Sequence, residues 1–461
     1  MQETKDNANI VSISKKLMID HIYIFGANYN NYPNQIIDHP HLLCAYPSTG
    51  DTKSSKELEQ ISTFCFPNGF SKLNDISTEQ IINDQFVFYI KHSTKNLFST
   101  CVQFTVPNNS TAFFANKQNR CYPFAICIIS KHACISYQIQ FLTHLIYFLL
   151  GKEHPQKRLH KIPLLSNIRG LCHPSLIFDK RYMSVAVCEG MQVPRIFIEQ
   201  MCIFQEEIND HETITPSRQL LHQTLSTLLS FVSIPNIIKL YTAVLLEKRI
   251  LFVSKSASKY SSAVIALNSL TNMFCASTII MPVVPIEYNV LLENPITYIA
   301  GSSMSNNNAD IIYNLDTEEI YEDTEIPRLP SSIKLRNKLE TFFEYQKDNL
   351  IIPDKNIRSF LFGDTISPEF IEYIKNLGND ALPICKISEL KIAPTCELTD
   401  LIQNIFEEHI SIRVIDFINS YKQMELFKEG MRSKSETVFY NEFISTQGGS
   451  MLVEETPPKF I

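Results

Sequence analysis

The alternation of apolar and polar positions divides the chain into three stretches. His21 to Gly26, HIYIFG, is a short apolar run closed by glycine and followed by the turn-rich ANYNNYP, which predicts a strand feeding a loop. Phe86 to Ile90, Cys101 to Val106 and Phe124 to Ser130 have the same strand-like character. From Tyr137 to Leu150 the period lengthens: Phe141, Leu145, Phe148 and Leu149 stand at offsets 0, 4, 7 and 8, the spacing of an amphipathic helix. Antiparallel-looking strands closed by a helix predict one α/β lobe.

Gly151 to about Arg181 reads as a linker, with Lys152, Lys157, Arg158, Lys161, Arg169, Lys180 and Arg181 among prolines and histidines, the mark of a solvated connector. Thr215 and Pro216 then supply an N-cap and a first-turn proline for a helix through Leu229. Pro235 opens another, with Ile237, Tyr241, Val244 and Leu245 again at offsets 0, 4, 7 and 8 and with Lys248 and Arg249 at its end, where cations favour a C-terminus. The uninterrupted run ILFVS, Ile250 to Ser254, suits a strand buried on both faces. A helix carrying Tyr260, Ala263, Val264, Leu267 and Leu270 follows, then strands at Thr278 to Val284, Ile296 to Ala300 and Ile311 to Leu315. Helices alternating with buried strands imply a doubly wound, mostly parallel sheet.

After the acidic stretch Asp316 to Glu325 the strand pattern stops. Helical spacing returns at Leu335, Leu339, Phe342 and Phe343 and again from Thr399 to Phe427, while the end, GGSMLVEETPPKFI, reads as loose. The expected organisation is a flexible start (1–17), a first α/β lobe (18–150), a linker (151–190), a central α/β lobe (191–330) and a mainly helical region with a loose tail (331–461). Three folded parts in 461 residues agree with a prior of roughly 150 residues per domain.

Composition narrows the function. Lys+Arg 41 against Asp+Glu 48 leaves a net charge of -7, without the basic excess that phosphate-backbone binding needs, which argues against nucleic acid as the main partner. Only 12 glycines are present, and no GxGxxG, GxxxxGK[ST] or GxSxG string occurs. Dinucleotide enzymes, P-loop NTPases and nucleophile-elbow hydrolases are thereby disfavoured, and no cofactor is expected. The 12 cysteines are scattered without a CxxC, reading as buried thiols in a reducing, cytoplasmic compartment. No secretory h-region opens the chain, which begins MQE and ends PKFI without a lipidation signal. Tyr260 to Ile286 is uncharged, but Asn268, Thr271, Asn272, Pro282 and Pro285 interrupt it, so buried core is the reading rather than a membrane span.

No catalytic constellation emerges. His39 and His41 form an HxH pair without an acidic or cysteine partner, and His211-Glu212 lacks the second histidine of HExxH, so no metal site is expected. Asp316, Glu318, Glu319, Glu322, Asp323 and Glu325 lack the mid-loop glycine and the ligand spacing of a calcium loop, and read as a solvated acidic loop.

Several strings, in order, resemble DENN-domain proteins. Tyr46-Pro47, then Phe64-Cys65-Phe66-Pro67-Asn68-Gly69, then Tyr122-Pro123-Phe124-Ala125-Ile126-Cys127-Ile128-Ile129-Ser130 are similar to the family's upstream segment. Ala243 to Ser254, AVLLEKRILFVS, resembles its aLLxERRIlfvS string; Pro282-Val283-Val284-Pro285 resembles IPvLP; Asn294 to Gly301, NPITYIAG, resembles aPxPYliG; and Ile311 to Asp316, IIYNLD, resembles vvxDLD. Thr446-Gln447 echoes the downstream segment's TQ. The chain departs at Met273-Phe274-Cys275-Ala276, which replaces PFxW, at Asn314, which replaces the first Asp of DLD, and at Gly448-Gly449, where large apolar residues usually follow.

The resemblance implies a longin-like N-terminal lobe, an α/β central lobe and a helical downstream part. It also implies a guanine-nucleotide exchange factor for a Rab-type small GTPase in membrane traffic, acting in the cytoplasm without covalent catalysis and reaching endomembranes peripherally or through the GTPase. The GTPase would sit in the groove between the two lobes. In open α/β sheets partners approach the carboxyl ends of parallel strands. Those ends are marked by Lys255, Ser256, Ser258 and Lys259 after ILFVS and by Gly301, Ser302, Ser303 and Met304 after ITYIAG. Glu247 and Arg249 read as structural helix-end residues. Two alternatives stay open: a folliculin-like activating protein using Arg120 as an arginine finger, and a non-catalytic tethering scaffold.

Overall fold

A computed structural model describes residues 21–26, 39–46, 55–70, 82–92, 95–105, 123–130, 184–188, 191–194, 216–271, 278–306, 308–345, 396–410 and 434–455, with isolated helical positions between 135 and 146. The chain forms two compact units, one of residues 1–216 with Pro285–Tyr288, the other of residues 217–284 and 289–461. The expected flexible start, the basic linker through Arg181, and the segments 272–277 and 411–427 lie outside the described residues.

The first unit holds a five-stranded antiparallel sheet of β1 (His21–Gly26), β2 (His41–Tyr46), β3 (Ile82–His92), β4 (Lys95–Thr105) and β5 (Pro123–Ser130), in the order β2-β1-β5-β4-β3. β5 is central and all eight of its residues are buried, which explains the unbroken apolar string PFAICIIS. Gly26 ends β1 beside Phe124; a Cβ there would stand 2.2 Å from the Phe124 ring. Helix α1 (Ser55–Cys65) ends in FCFPNG, where Gly69 at φ +84 supplies the left-handed turn that closes on the Phe66 carbonyl. Cys65, Cys101 and Cys127 are buried free thiols, and burial pushes the first two upward in pKa.

The expected helix near residue 140 is present, but its described buried stripe is Ile135, Ile139, Leu142 and Ile146, whereas Phe141, Leu145, Phe148 and Leu149 lie outside the described residues. Gln138 and Thr143 face the sheet as well, bonded to Thr100 (2.5 Å) and Gln85 (3.5 Å). A hairpin of β6 (Ser184–Cys188) and β7 (Met191–Pro194) makes a separate two-stranded sheet.

In the second unit α2 (Pro216–Phe231) and α3 (Ile234–Leu245) lead into β8 (Ile250–Val253). Nine of the twelve residues of α3 are buried, and Pro235 sits in its first turn, where a missing N–H costs nothing. Helix α4 (Ala257–Thr271) buries most of its length, so the uncharged run beginning at Tyr260 is core. Among the described residues no single helix is long and apolar enough to cross a membrane. Strands β9 (Ile279–Met281), β10 (Tyr298–Ser302), β11 (Ile311–Asn314) and β12 (Glu319–Glu322) complete a sheet ordered β12-β11-β8-β10-β9. Four strands are parallel and β12 is antiparallel, giving the mostly parallel sheet that the pattern implies.

Two sequence expectations need correction. The acidic stretch is not a loop, because Glu319–Glu322 forms the edge strand β12; its alternation of exposed and half-buried residues is that of a solvated edge, guarded by charge. The end of the chain is not loose as far as Glu455, because α8 (Gln447–Glu455) follows α7 (Lys434–Ser445). Helices α5 (Ser332–Tyr345) and α6 (Cys396–Ile410) belong to the same unit: Leu335 and Leu339 are buried, and the Tyr241 ring of α3 meets Phe406 at 4.7 Å.

What orders α8 is its N-terminus. Glu247, in the turn between α3 and β8, accepts from the amides of Gln447 (3.0 Å) and Gly448 (2.8 Å), and Thr446 Oγ1 accepts from Gly449 (3.0 Å), so three helix-start donors are satisfied. Lys248 pairs with Glu442 beside them. A Cβ on Gly449 would stand 1.9 Å from the Phe443 carbonyl oxygen, so the corner between α7 and α8 is closed to larger residues. Glu247 takes φ 51 to make this contact. A left-handed non-glycine residue costs about 1 to 3 kcal/mol, whereas two hydrogen bonds to a charged acceptor contribute about 1.5 to 3 kcal/mol each, so the cap outweighs the strain.

Glu247→Ala is therefore expected to raise amide hydrogen exchange across Gln447–Glu455 at least tenfold while β8 stays protected; protection equal to wild type would show that α8 docks without this carboxylate. Phe406→Ala is expected to lower the stability of the second unit by about 3 to 5 kcal/mol in denaturant titrations.

Candidate functional site

Parallel register brings the ends of three strands level: Val253 lies opposite Ser302 on one side and Asn314 on the other. The chain leaves β8 toward α4 and β9 but leaves β11 toward β12, so the connections diverge between β8 and β11. Such a divergence opens the crevice in which parallel sheets hold ligands, with a helix N-terminus behind it.

Here the crevice is occupied by Asp316. Its Oδ1 accepts from Ser254 Oγ (3.0 Å) and Lys259 Nζ (2.8 Å), and its Oδ2 accepts from the Lys255 backbone N–H (2.8 Å). Ser254 Oγ in turn accepts from the Ser256 N–H (3.1 Å) just before α4. The Lys259 ammonium also lies 4.5 Å from the centre of the Phe231 ring. Burial alone would raise the Asp316 carboxyl, but Lys259, the Lys255 amide and Ser254 outweigh it and hold the group below the ordinary carboxylate range. Asn314 Oδ1 accepts from Asp316 (2.9 Å) and Thr317 (3.2 Å), so asparagine supplies the acceptor that the turn after β11 needs.

The eight residues expected at this carboxyl edge lie just after β8, in the first turn of α4 and at the end of β10, and only two of them are exposed. Lys255 and Met304 are exposed; Ser256, Ser258, Lys259 and Ser303 are half-buried; Gly301 and Ser302 are buried. A Cβ on Gly301 would stand 2.6 Å from both the Pro282 carbonyl oxygen and the Tyr260 ring, so glycine lets α4 close on β10. Ser302 accepts from Ser254 through its carbonyl (3.3 Å) and from the Met304 N–H through its hydroxyl (3.3 Å). Arg120 lies outside the described residues.

At the opposite end of β8, Arg249 forks onto Asp310, with Nη2 to Oδ1 at 2.6 Å, Nε to Oδ2 at 3.2 Å and its own amide to Oδ2 at 2.7 Å. Burial would raise the Asp310 carboxyl, yet the Arg249 contacts hold it low. Arg249, like Glu247, serves the fold, as its place at the helix end suggests.

A second surface escaped the sequence reading. From the start of β9 through the crossover to β10, Val290 is 66 % exposed, Ile296 47 %, Ile279 45 % and Leu291 42 %. Two hydrogen bonds tie this crossover to the strands it joins: the Ile279 amide donates to the Thr297 carbonyl (3.0 Å) and the Tyr298 hydroxyl donates to the Leu292 carbonyl (3.1 Å). Leu251, Val284, Leu292, Tyr298 and Ala300 belong to one buried cluster. The overlooked signal was charge: no Lys, Arg or His occurs from Tyr260 to Asp323.

Residues 121–321, from just before β5 into β12, match the family model of the DENN (AEX-3) domain. The chain carries a DENN domain. No curated protein matches the chain significantly. Within the DENN domain lie the α3–β8 turn, the Asp316 crevice and the exposed aliphatic residues of the β9–β10 crossover, while α6, which meets α3 through Phe406, and α8, which the turn caps, lie beyond it. Among the described residues no group of three or more His, Cys, Asp or Glu is placed to hold a metal ion.

A carboxyl held low in the folded state stabilises the fold above its unfolded pKa, and the contribution is lost as pH falls through the folded pKa. The stability advantage of wild type over Asp316→Asn is therefore expected to be constant above about pH 5 and to shrink steadily below it, as read from urea midpoints. An advantage that grew toward acid would refute the assigned partners. Gly301→Ala is expected to cost about 1 to 3 kcal/mol by the same measurement.

Proposed function

We propose that this DENN-domain protein is a guanine-nucleotide exchange factor for a Rab-family small GTPase in membrane traffic. The match over residues 121–321 carries the reading, since the family resemblance implies this activity. The antiparallel sheet of the first unit is read as its longin-like part and the helices from α5 onward as its downstream part. The proposed setting is the cytoplasmic face of endomembranes, reached through the lipidated GTPase.

Exchange of this kind needs no covalent step. The protein binds the nucleotide-free, switch-open GTPase more tightly than the nucleotide-bound form, and linkage then weakens nucleotide binding by the same factor. Each tenfold acceleration of GDP release requires about 1.4 kcal/mol of preferential stabilisation of the release transition state. At the carboxyl edge Met304 is exposed for such contacts, and Lys259 is engaged by Asp316 and Phe231. With Asp316 seated in the sheet's own anion crevice, the nucleotide is acted on where the GTPase holds it.

The test is release of a fluorescent GDP analogue from a panel of purified Rab GTPases, with hydrolysis controls. The expected result is at least a tenfold acceleration of release for one member, reduced in Met304→Asp. Accelerated hydrolysis lost in Arg120→Ala would replace this reading with an activating protein, and binding without either acceleration would replace it with a scaffold.

A further inference from the structure

Strand β12 closes one edge of the second unit's sheet and pairs with β11 alone among the described strands. It carries Tyr321, which is 56 % exposed. Every other tyrosine whose side chain is described is buried or half-buried, and Tyr23, Tyr241, Tyr260, Tyr298 and Tyr313 are core rings. The exposed phenol is therefore an exception to how this chain uses tyrosine. Opposite Tyr321 in register stands Ile312, a member of the buried cluster of this sheet, so a packed neighbour fixes the base of the side chain.

The surroundings are acidic along the chain and in space. Glu318 and Glu319 precede Tyr321, and Glu322, Asp323 and Glu325 follow it. The pairing runs on past the strand, since the Asp323 amide donates to the Asp310 carbonyl (3.0 Å), so Glu319, Tyr321 and Asp323 share one side of the backbone. Lys239 and Arg249 reach this hairpin from α3 and from just ahead of β8, and each is committed to a carboxylate. Lys239 pairs with Glu322 at 2.6 Å, and Arg249, whose field also reaches Asp323, is forked onto Asp310. Acids alone make only a solvated edge. An exposed phenol set among them in extended backbone adds a phosphoryl acceptor, presented in the conformation that strand addition reads and flanked by the charge that a basic groove selects.

We propose that Tyr321 is a phosphorylation site for a tyrosine kinase with a basic peptide groove; the assignment is independent of the exchange-factor reading. The phenol oxygen attacks the γ-phosphorus of ATP, the new O–P bond forms as the bond to the β–γ bridging oxygen breaks, ADP leaves, and the phenol proton passes to the kinase's catalytic carboxylate. The product brings about −1.5 to −2 charge at neutral pH to a strand side that already holds Glu319 and Asp323. Repulsion among the three opposes the β11–β12 pairing, so modification loosens the hairpin whose turn carries Asp316.

The experiment incubates the full folded chain with magnesium, ATP and the catalytic domain of a tyrosine kinase that phosphorylates poly(Glu,Tyr), and maps phosphate over time by peptide mass spectrometry. Tyr321 is expected to be modified at least fivefold faster than any other tyrosine, and total initial incorporation to fall at least fivefold in Tyr321→Phe. The double variant Glu318→Gln, Glu319→Gln, checked for an unchanged thermal midpoint, is expected to lower kcat/KM at Tyr321 at least threefold. In the phosphorylated chain, amide exchange across Glu319–Glu322 is expected to rise at least threefold at low salt and to return toward the unmodified rate as salt is added. No incorporation at Tyr321 while poly(Glu,Tyr) is turned over, or faster labelling of another tyrosine, would overturn the assignment. Equal kcat/KM in the double variant would overturn recognition through the acids, and unchanged exchange after complete modification would overturn the loosening of the hairpin.

Discussion

Strand β8 has neighbours on both edges and no side chain open to water, and the second unit is arranged around keeping it so. Burying four apolar residues completely stabilises the fold by roughly 1.5 to 3 kcal/mol for each large side chain, but only if the polar backbone at both ends of the strand is also satisfied. Asp310 and Arg249 close its start, and Asp316 closes its exit by accepting from Ser254, Lys255 and Lys259. Glu247, one turn earlier, passes the same requirement on to α8. One short run of sequence, EKRILFVS, therefore ties the sheet to the carboxyl-edge crevice and to helices two hundred residues away.

That dependence explains why the LLEKRILFVS string was informative. Its apolar spacing placed the start of α3 and both ends of β8 within a residue of their observed limits, while the cations Lys248 and Arg249 carried the expected helix past its true end at Leu245 into the turn. Strands β1 and β5 were equally legible, since central strands read as unbroken apolar runs. Strand β12 was not legible, because an edge strand needs no apolar face and its acids look like a loop's. Helix α8 escaped for a related reason. Gly448 and Gly449 lower helix propensity locally, and the groups that compensate for them come from Glu247 and Thr446, of which the first is remote in sequence.

At the site, sequence reasoning located the carboxyl ends of β8 and β10 but could not say which residues face outward. Lys259 and Ser254 carry the polar character expected of contact residues and direct it inward to Asp316, which was read as part of an acidic run and as the end of the IIYNLD string. The pairing needed the register between β8 and β11, a property of strand order that no local pattern encodes. The exposed aliphatic residues of the β9–β10 crossover were hidden for the opposite reason. Val290, Leu291 and Ile296 look like core residues in one dimension, and only their exposure separates them from Leu292, which is buried between them.

Asp316 bears on what this architecture has relinquished. A backbone amide just ahead of a helix, a hydroxyl and an ammonium converging at a strand end are the kind of equipment with which parallel sheets grip phosphate, and the chain directs all three to its own carboxylate. The donors are intact and already oriented, so the scaffold stands one side chain away from an anion receptor. For protein engineering, the shortest path from this fold to a phosphate-binding one runs through a deletion of charge at a single position, with nothing to be built.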